Sequence, residues 1–297
     1  MTEPPRIFDR NAVKRNQHRA ASLGEMEPPL IRDLRAGLLD RIRDVTRTFQ
    51  HALVQGMRPE ITAKILVDHH GIQQAFGMES TAAGARSDSA DFTAVAGDEE
   101  WIPFGFGAFD IVVSQLCLHW TNDLPGSLIQ LRRTLKPDGL FLASVFGGET
   151  LNELRASWLA AESTLRGGVT PRVSPLLDVR DAGNLLLRAG FALPVTDTDR
   201  YTLEFANLRE LALFLRLIGE TNAVTNRARG LTTPGLWKAV EDHYSEHFTN
   251  ANGKLRATFD LITLTGWAPD ATQQKPLAPG SAASRLADAL GSDEKPI

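Results

Sequence analysis

Short apolar runs alternate with amphipathic stretches along the first half of the chain, a rhythm that predicts an α/β sheet with helices on both faces. "HALVQ" at 51–55 reads as a first strand. Pro59 suits the first turn of the next helix, whose pattern runs through "EITAKILVDHH" to a stop at Gly71. "QQAFGM" (73–78) and "DFTAVAG" (91–97) are the second and third predicted strands, with a surface loop over 80–90 between them. "FDIVVSQLCLHW" (109–120) is the plainest strand, because from Ile111 to Leu116 only Ser114 and Gln115 are polar. A helix over about 124–135, the turn "KPDG" and the strand "LFLASVF" (140–146) close this half.

From Gly148 the pattern is mostly helical, first in "ETLNELRASWLAAESTL" and then in "DVRDAGNLLLRAG", where Gly190 ends a helix. "FALPVTDTDRYTLEF" (191–205) is predicted as one or two strands, and "RATFDLITLTGWA" (256–268) as a late strand with the alternation of an antiparallel edge partner. Between them, 208–248 reads as a helical insertion over the sheet. The expected organisation is a helical segment or lid over 1–48, a sheet domain over 49–268, and a poorly ordered tail over 269–297, where Pro, Gly, Ser, Ala and Gln take over.

Composition narrows the function classes. A chain of 297 residues, 42% hydrophobic, can bury a sizeable core. Its net charge of −4 supplies no general basic field for nucleic acid. Cys117 is the only cysteine, so an internal disulfide is excluded and a reducing compartment is expected. The N-terminus lacks the apolar core of a signal peptide, and the longest apolar runs are too short to cross a bilayer, so a soluble protein is expected.

In an open α/β sheet, ligands bind beyond the carboxyl ends of the strands. Those ends fall at Gly56, Glu79, Asp98 and the run His119, Trp120, Asn122. Glu79 stands at the spacing of a carboxylate that accepts both ribose hydroxyls. Asp98 is placed to accept from an adenine amino group, and Trp101 to offer the base a flat apolar face. Each also has a plain structural reading, as a solvated cap or a packing residue. His119 stands between a base and a packing residue, Trp120 and Asn122 between substrate contacts and structure, and Asp123 is assigned to the cap of the next helix.

The stretch "FDIVVSQLCLHWTNDLPGSLIQLRRTLKPDGLFLASVFGGETLNELR", with "IFDRNAVKRNQHRAA", "DEEWIPF", "GGVTPRVSP", "IGETNAVTNR" and "ATFDLITLTGWAPDATQQKPLAPGSA", resembles the class I methyltransferase-fold family called complex I assembly factor 5. More distantly it is similar to malonyl-carrier-protein O-methyltransferases. The resemblance implies a doubly wound, Rossmann-like seven-stranded sheet, mostly parallel, with a site of the S-adenosylmethionine type. Gly56, Glu79, Asp98, Glu99 and Trp101 are the cofactor contacts it implies, and His119, Trp120 and Asn122 the residues near the substrate. It also implies a role in maturing respiratory complex I, with modification of an arginine in its iron-sulfur subunit. The expected partner is therefore a protein client. The alternatives are an O-methyltransferase acting on an acyl carrier, or an assembly chaperone with a vestigial site. Met1 lies close to the family's first motif, which favours a bacterial cytoplasmic protein with at most peripheral membrane contact.

One stretch departs from the family pattern. Where it has A-L-D-L-G-C-G-R-G, this chain has Ala52-Leu53-Val54-Gln55-Gly56-Met57-Arg58-Pro59-Glu60. One glycine of three remains, and a valine stands where an acid would face the ligand's amino group. Binding of the methionine moiety is the property this puts in question. "HYSEH" (243–247) matches a zinc pattern, but with no third ligand downstream a metal is not expected. The cluster Arg6, Arg10, Lys14, Arg15 and Arg19 reads as a solvated helix face or as part of the lid.

Overall fold

The apolar run at 51–56 forms a central strand, and the reason is burial on both faces: Ala52 and Leu53 are wholly inaccessible and Val54 nearly so. The computed structural model describes residues 6–23, 27–80 and 91–274. The loop expected at 80–90, from residue 81 on, and most of the tail expected after 269 lie outside these. Two helices, α1 (Arg10–Leu23) and α2 (Pro29–Arg43), precede β1 (His51–Gly56). There follow α3 (Pro59–His70), β2 (Gln74–Glu79), β3 (Phe92–Ala96), β4 (Phe109–Gln115), a 3-10 turn (Leu118–Trp120), α4 (Leu124–Thr134) and β5 (Leu135–Gly147). The second half comprises α5 (Asn152–Arg166), α6 (Val179–Ala189), β6 (Ala192–Phe205), α7 (Leu208–Leu217), α8 (Pro234–His247) and β7 (Leu255–Trp267).

The strands form a 7-stranded sheet in the order β3-β2-β1-β4-β5-β7-β6. β7 alone runs against the rest, pairing antiparallel with both β5 and β6. Successive residues of β1 point to opposite faces. Leu53 packs with Leu128 and Leu131 of α4 and Leu186 of α6, whereas Ala52 and Val54 meet Leu38 and Leu39 of α2 and Leu66 of α3. Beyond the end of β5, α5, α7 and α8 gather around Phe146, Phe259 and Tyr244.

Two expectations are corrected. The strand read over 109–120 stops at Gln115: Leu116 takes a left-handed φ of 51° and turns the chain into the 3-10 turn that carries His119 and Trp120. The late strand is interior, and β6 is the edge instead. Its alternation misled because Thr258 and Thr263 are buried on β7, with the Thr258 hydroxyl donating to Glu153. Asp123 caps α4 as expected, its Oδ1 accepting from the Gly126 N–H at 2.9 Å. Among the described residues, no helix is long and apolar enough to cross a membrane.

Candidate functional site

The carboxyl ends of β1 and β2 open into a cavity of about 430 Å³. Its floor is set by Gly56, at φ 108°, where a Cβ would lie 1.9 Å from the Gln115 carbonyl oxygen. Only glycine lets β1 leave the sheet so close to β4. The Met57 N–H then donates to that carbonyl at 3.2 Å. Arg58 precedes α3 at φ 48°, ψ 60°, a left-handed conformation that costs a residue with a side chain about 1–2 kcal/mol. The departure from the family pattern thus preserves the bend while putting a guanidinium-bearing side chain in the cavity wall.

Glu79, at the end of β2, lines the same cavity. Burial raises its carboxyl from the usual range to about 7, and the nearby Glu60 carboxylate adds to the effect. A half-buried carboxylate on a cavity wall is placed to accept from a hydroxyl-bearing ligand when ionised, and a perturbed pKa in a cleft marks a candidate functional group. Met78 and Phe92 supply apolar wall beside it, and Gln17 and His18 of α1 lie across the cavity.

The neighbouring acids are already engaged. Arg10 of α1 donates to Asp98 Oδ1 at 2.9 Å, also pairs with Glu99, and lies 3.8 Å from Glu100. Lys14, one turn further, reaches Asp98 Oδ2 at 2.7 Å. Hydrogen bonds from Lys14 and the Glu100 N–H, with the charge of Arg10, hold Asp98 below the ordinary aspartate range against the opposing effect of burial. Asp98 is absent from the cavity lining, whereas Glu99 contributes to it. Trp101 is 79% exposed and also outside the lining. The loop carrying it turns Ile102 and Phe104 inward onto the core, which leaves the tryptophan outside.

The run after β4 divides. Trp120 lines the cavity and packs edge-on against Phe8, ring centroids 5.3 Å apart. His119 Nε2 lies 3.1 Å from both oxygens of Glu220, and the Trp120 indole N–H donates to Glu220 Oε1 at 3.3 Å. His119 Nδ1 is buried without a hydrogen-bond partner. Asn122 is corrected to a structural role: its Oδ1 accepts from the Phe8 N–H at 2.8 Å and its amide donates to the Phe8 carbonyl at 3.2 Å. Each half of the amide therefore makes one bond to the N-terminal segment. In the zinc-like pattern, His243 Nδ1 bonds Ser157 Oγ at 3.1 Å while His247 stacks on the His243 ring, centroids 4.2 Å apart.

The structure therefore gathers Gly56, Glu79, Glu99 and Trp120 around one cavity and leaves out Asp98, Trp101, His119 and Asn122. Glu220 was missed. It lies in "IGETNAVTNR", a stretch without strand-end spacing, and only the fold carries it across the sheet's end. Glu220 and Trp120 also border a second cavity of about 210 Å³, walled by Trp158, Trp237, Phe146 and Phe259.

This strand order, with one reversed strand and a cavity where β1 and β2 end, defines a class I methyltransferase fold. Residues 56–143 match a family described as a methyltransferase domain. The fold is similar to that of a methyltransferase-titled structure from Bacillus halodurans, 14% identical, with a TM-score of 0.54, covering 80% of this chain and 99% of that one. Over 95% of its length, the chain is 36% identical to the arginine-hydroxylase NDUFAF5 of Danio rerio, covering 89% of that protein. It is also 31% identical to a malonyl-[acyl-carrier protein] O-methyltransferase of Methylovorus, over 91% of this chain and 93% of that one. The chain belongs to the methyltransferase-fold family that contains the arginine-hydroxylase NDUFAF5 proteins.

Proposed function

We propose that the 430 Å³ cavity binds an adenosyl cofactor of the S-adenosylmethionine type and that the protein acts on an arginine of a complex I iron-sulfur subunit during assembly. The observation that carries the cofactor reading is Glu79, a half-buried carboxylate at the end of β2, facing a cavity whose floor bends at Gly56. The volume is within the range of about 300–1,000 Å³ typical of small-molecule sites. Glu79 would take the ribose hydroxyls, Met78 and Phe92 the base, and the Gly56 bend would let backbone approach the ligand. When bound, S-adenosylmethionine would supply an electrophilic methyl group on its sulfonium sulfur, the chemistry of methyl transfer, whereas hydroxylation would take its oxygen from dioxygen with electrons from a separate reductant. Trp120 stands at the inner limit of this space, where a substrate side chain would meet it.

The choice of an arginine in a protein client rests on the relatives named arginine-hydroxylase and on the motif resemblance. In this reading α1 is the cover of the site and the α7–α8 region the surface that receives the client. The protein would work in the cytoplasm and touch the membrane at most through that client.

Calorimetric titration with S-adenosylmethionine and S-adenosylhomocysteine tests the cofactor. Micromolar binding, lost on Glu79→Ala, is the expected result, and no heat with either ligand would overturn it. Mass spectrometry of the client from cells with and without the protein tests the chemistry: a gain of one oxygen on arginine marks hydroxylation, and of one CH₂ methyl transfer. A second reading, methyl transfer to an acyl-carrier carboxyl, draws on the malonyl-carrier relative and predicts methyl incorporation into a malonyl thioester. A vestigial site in an assembly chaperone predicts instead that Glu79→Ala restores complex I in a deletion strain as fully as the unmutated chain.

A further inference from the structure

The structure assigns the second cavity, about 210 Å³, to the substrate side chain: we propose that it is a guanidinium pocket and that Glu220 is its anionic end. The assignment deepens the arginine reading above and rests on it. Glu220 follows α7 and its side chain is 10% exposed. It is the one carboxylate in the lining of both cavities, so a group bound to it stands at the boundary between the proposed cofactor space and the apolar space.

The hydrogen-bond inventory leaves room for such a group. A carboxylate offers roughly four acceptor positions. His119 Nε2 is shared between both oxygens at 3.1 Å, and the Trp120 indole N–H takes a third contact at 3.3 Å. Both donors lie on the short turn after β4 and hold the carboxylate in one orientation. Neither is a lysine or an arginine: the cationic partner within the fold is His119, which carries charge only when protonated. With three contacts made, about one acceptor position is left, enough for one N–H of a planar guanidinium.

The walls suit the rest of an arginine. Trp158, Trp237, Phe146 and Leu211 form an apolar sleeve for the methylenes. Arg172 already sets its guanidinium over this wall, its Cζ 4.5 Å from the centre of the Trp158 ring. That cation is neutralised within the fold, because Glu162 accepts from Arg172 Nε at 2.8 Å and from Nη2 at 2.5 Å. Glu220 is then the one acidic side chain in this cavity's lining.

The experiment is a tryptophan-fluorescence titration of the full chain with capped pentapeptides whose central residue, among glycines, is arginine, citrulline or norleucine. Trp120, Trp158 and Trp237 are the reporters, all three lining the pocket. The arginine peptide should bind at least tenfold more tightly than the other two. Glu220→Gln, nearly isosteric, should erase that preference, and Glu220→Asp should keep it at reduced affinity. Ala212→Trp, at an exposed position of α7 that also borders the cavity, should block all three peptides without touching the core. Equal binding of the citrulline and arginine peptides, or an undiminished preference in Glu220→Gln, overturns the pocket. Should Glu220→Gln fail to fold, the comparison of peptides and the Ala212→Trp variant decide the matter alone. The two levels of the proposal fail separately: client arginine modified at the normal rate by Glu220→Gln removes this assignment and leaves the function. Selective arginine binding by a protein whose deletion leaves complex I fully assembled removes the function and leaves the pocket.

Discussion

Gly56 and Gln115 sit at the carboxyl ends of adjacent strands, so close that a Cβ on the glycine would fall 1.9 Å from the Gln115 carbonyl oxygen. The obstacle is backbone, the Gln115 carbonyl paired in register with Gly56, and neither strand end can yield without losing its ladder. Gly56→Ala should therefore destabilise the protein by roughly 2–4 kcal/mol, combining an unfavourable φ with overpacking. Urea unfolding followed by circular dichroism measures this. An alanine variant as stable as the parent would show that the bend is looser than described.

The Glu79 carboxyl titrates at about 7, and the sign of its effect differs between two observables. A ligand that donates hydroxyls to the ionised form binds better as pH rises from 6 to 8. Below 7 its affinity should fall by up to about tenfold per unit, with a plateau above. The unliganded fold behaves oppositely: it favours the protonated carboxyl, so its stability falls as pH rises from the unfolded value of 4.5 through about 7. Calorimetry with S-adenosylhomocysteine at several pH values should show the first trend, and Glu79→Gln should flatten it.

Arg10 is the counter-ion for Asp98, Glu99 and Glu100. Its removal in Arg10→Ala leaves three carboxylates on one loop with Lys14 as their cation on α1, at a cost of about 3 kcal/mol. Asp98 has a lowered pKa, so its contribution is present above the unfolded value of 3.8 and is lost as pH falls through its folded value. Amide exchange of residues 10–23 should accordingly speed up below pH 3.8 in the parent protein and at neutral pH in the variant. Unchanged protection of α1 in Arg10→Ala would contradict the tether.

Trp101 lies outside the cavity and makes little packing contact at 79% exposure. Trp101→Ser should leave stability within about 0.5 kcal/mol and nucleoside affinity unaltered. A tenfold loss of S-adenosylhomocysteine binding in calorimetry would return the ring to the site.

Much of the scaffold was legible because its signals are local. Continuous apolar runs mark β1 and β4, Pro59 and Asp123 mark helix starts, and the motifs quoted from the chain point to the family. The errors share a cause in side chains with two characters. Threonines on β7 read as polar yet are buried, and Asn122 and Trp101 stand where strand-end spacing favours a ligand yet serve the N-terminal segment or solvent. Spacing says which residues arrive at a sheet's end, not which way they face or what is already bound to them.

The chain's own pattern determined the alternating sheet, the single-glycine bend and the presence of acids at successive strand ends, since each follows from residues within a few positions of one another. The tertiary structure decided which of those acids can receive a ligand. Arg10 reaches Asp98 across 88 residues, while Glu220 comes to His119 across 101. Electrostatic pairing depends on distance in space, and only the folded chain brings these charges together: it compensates Asp98 and Glu99, and it leaves Glu79 in the wall of one cavity and Glu220 between the two.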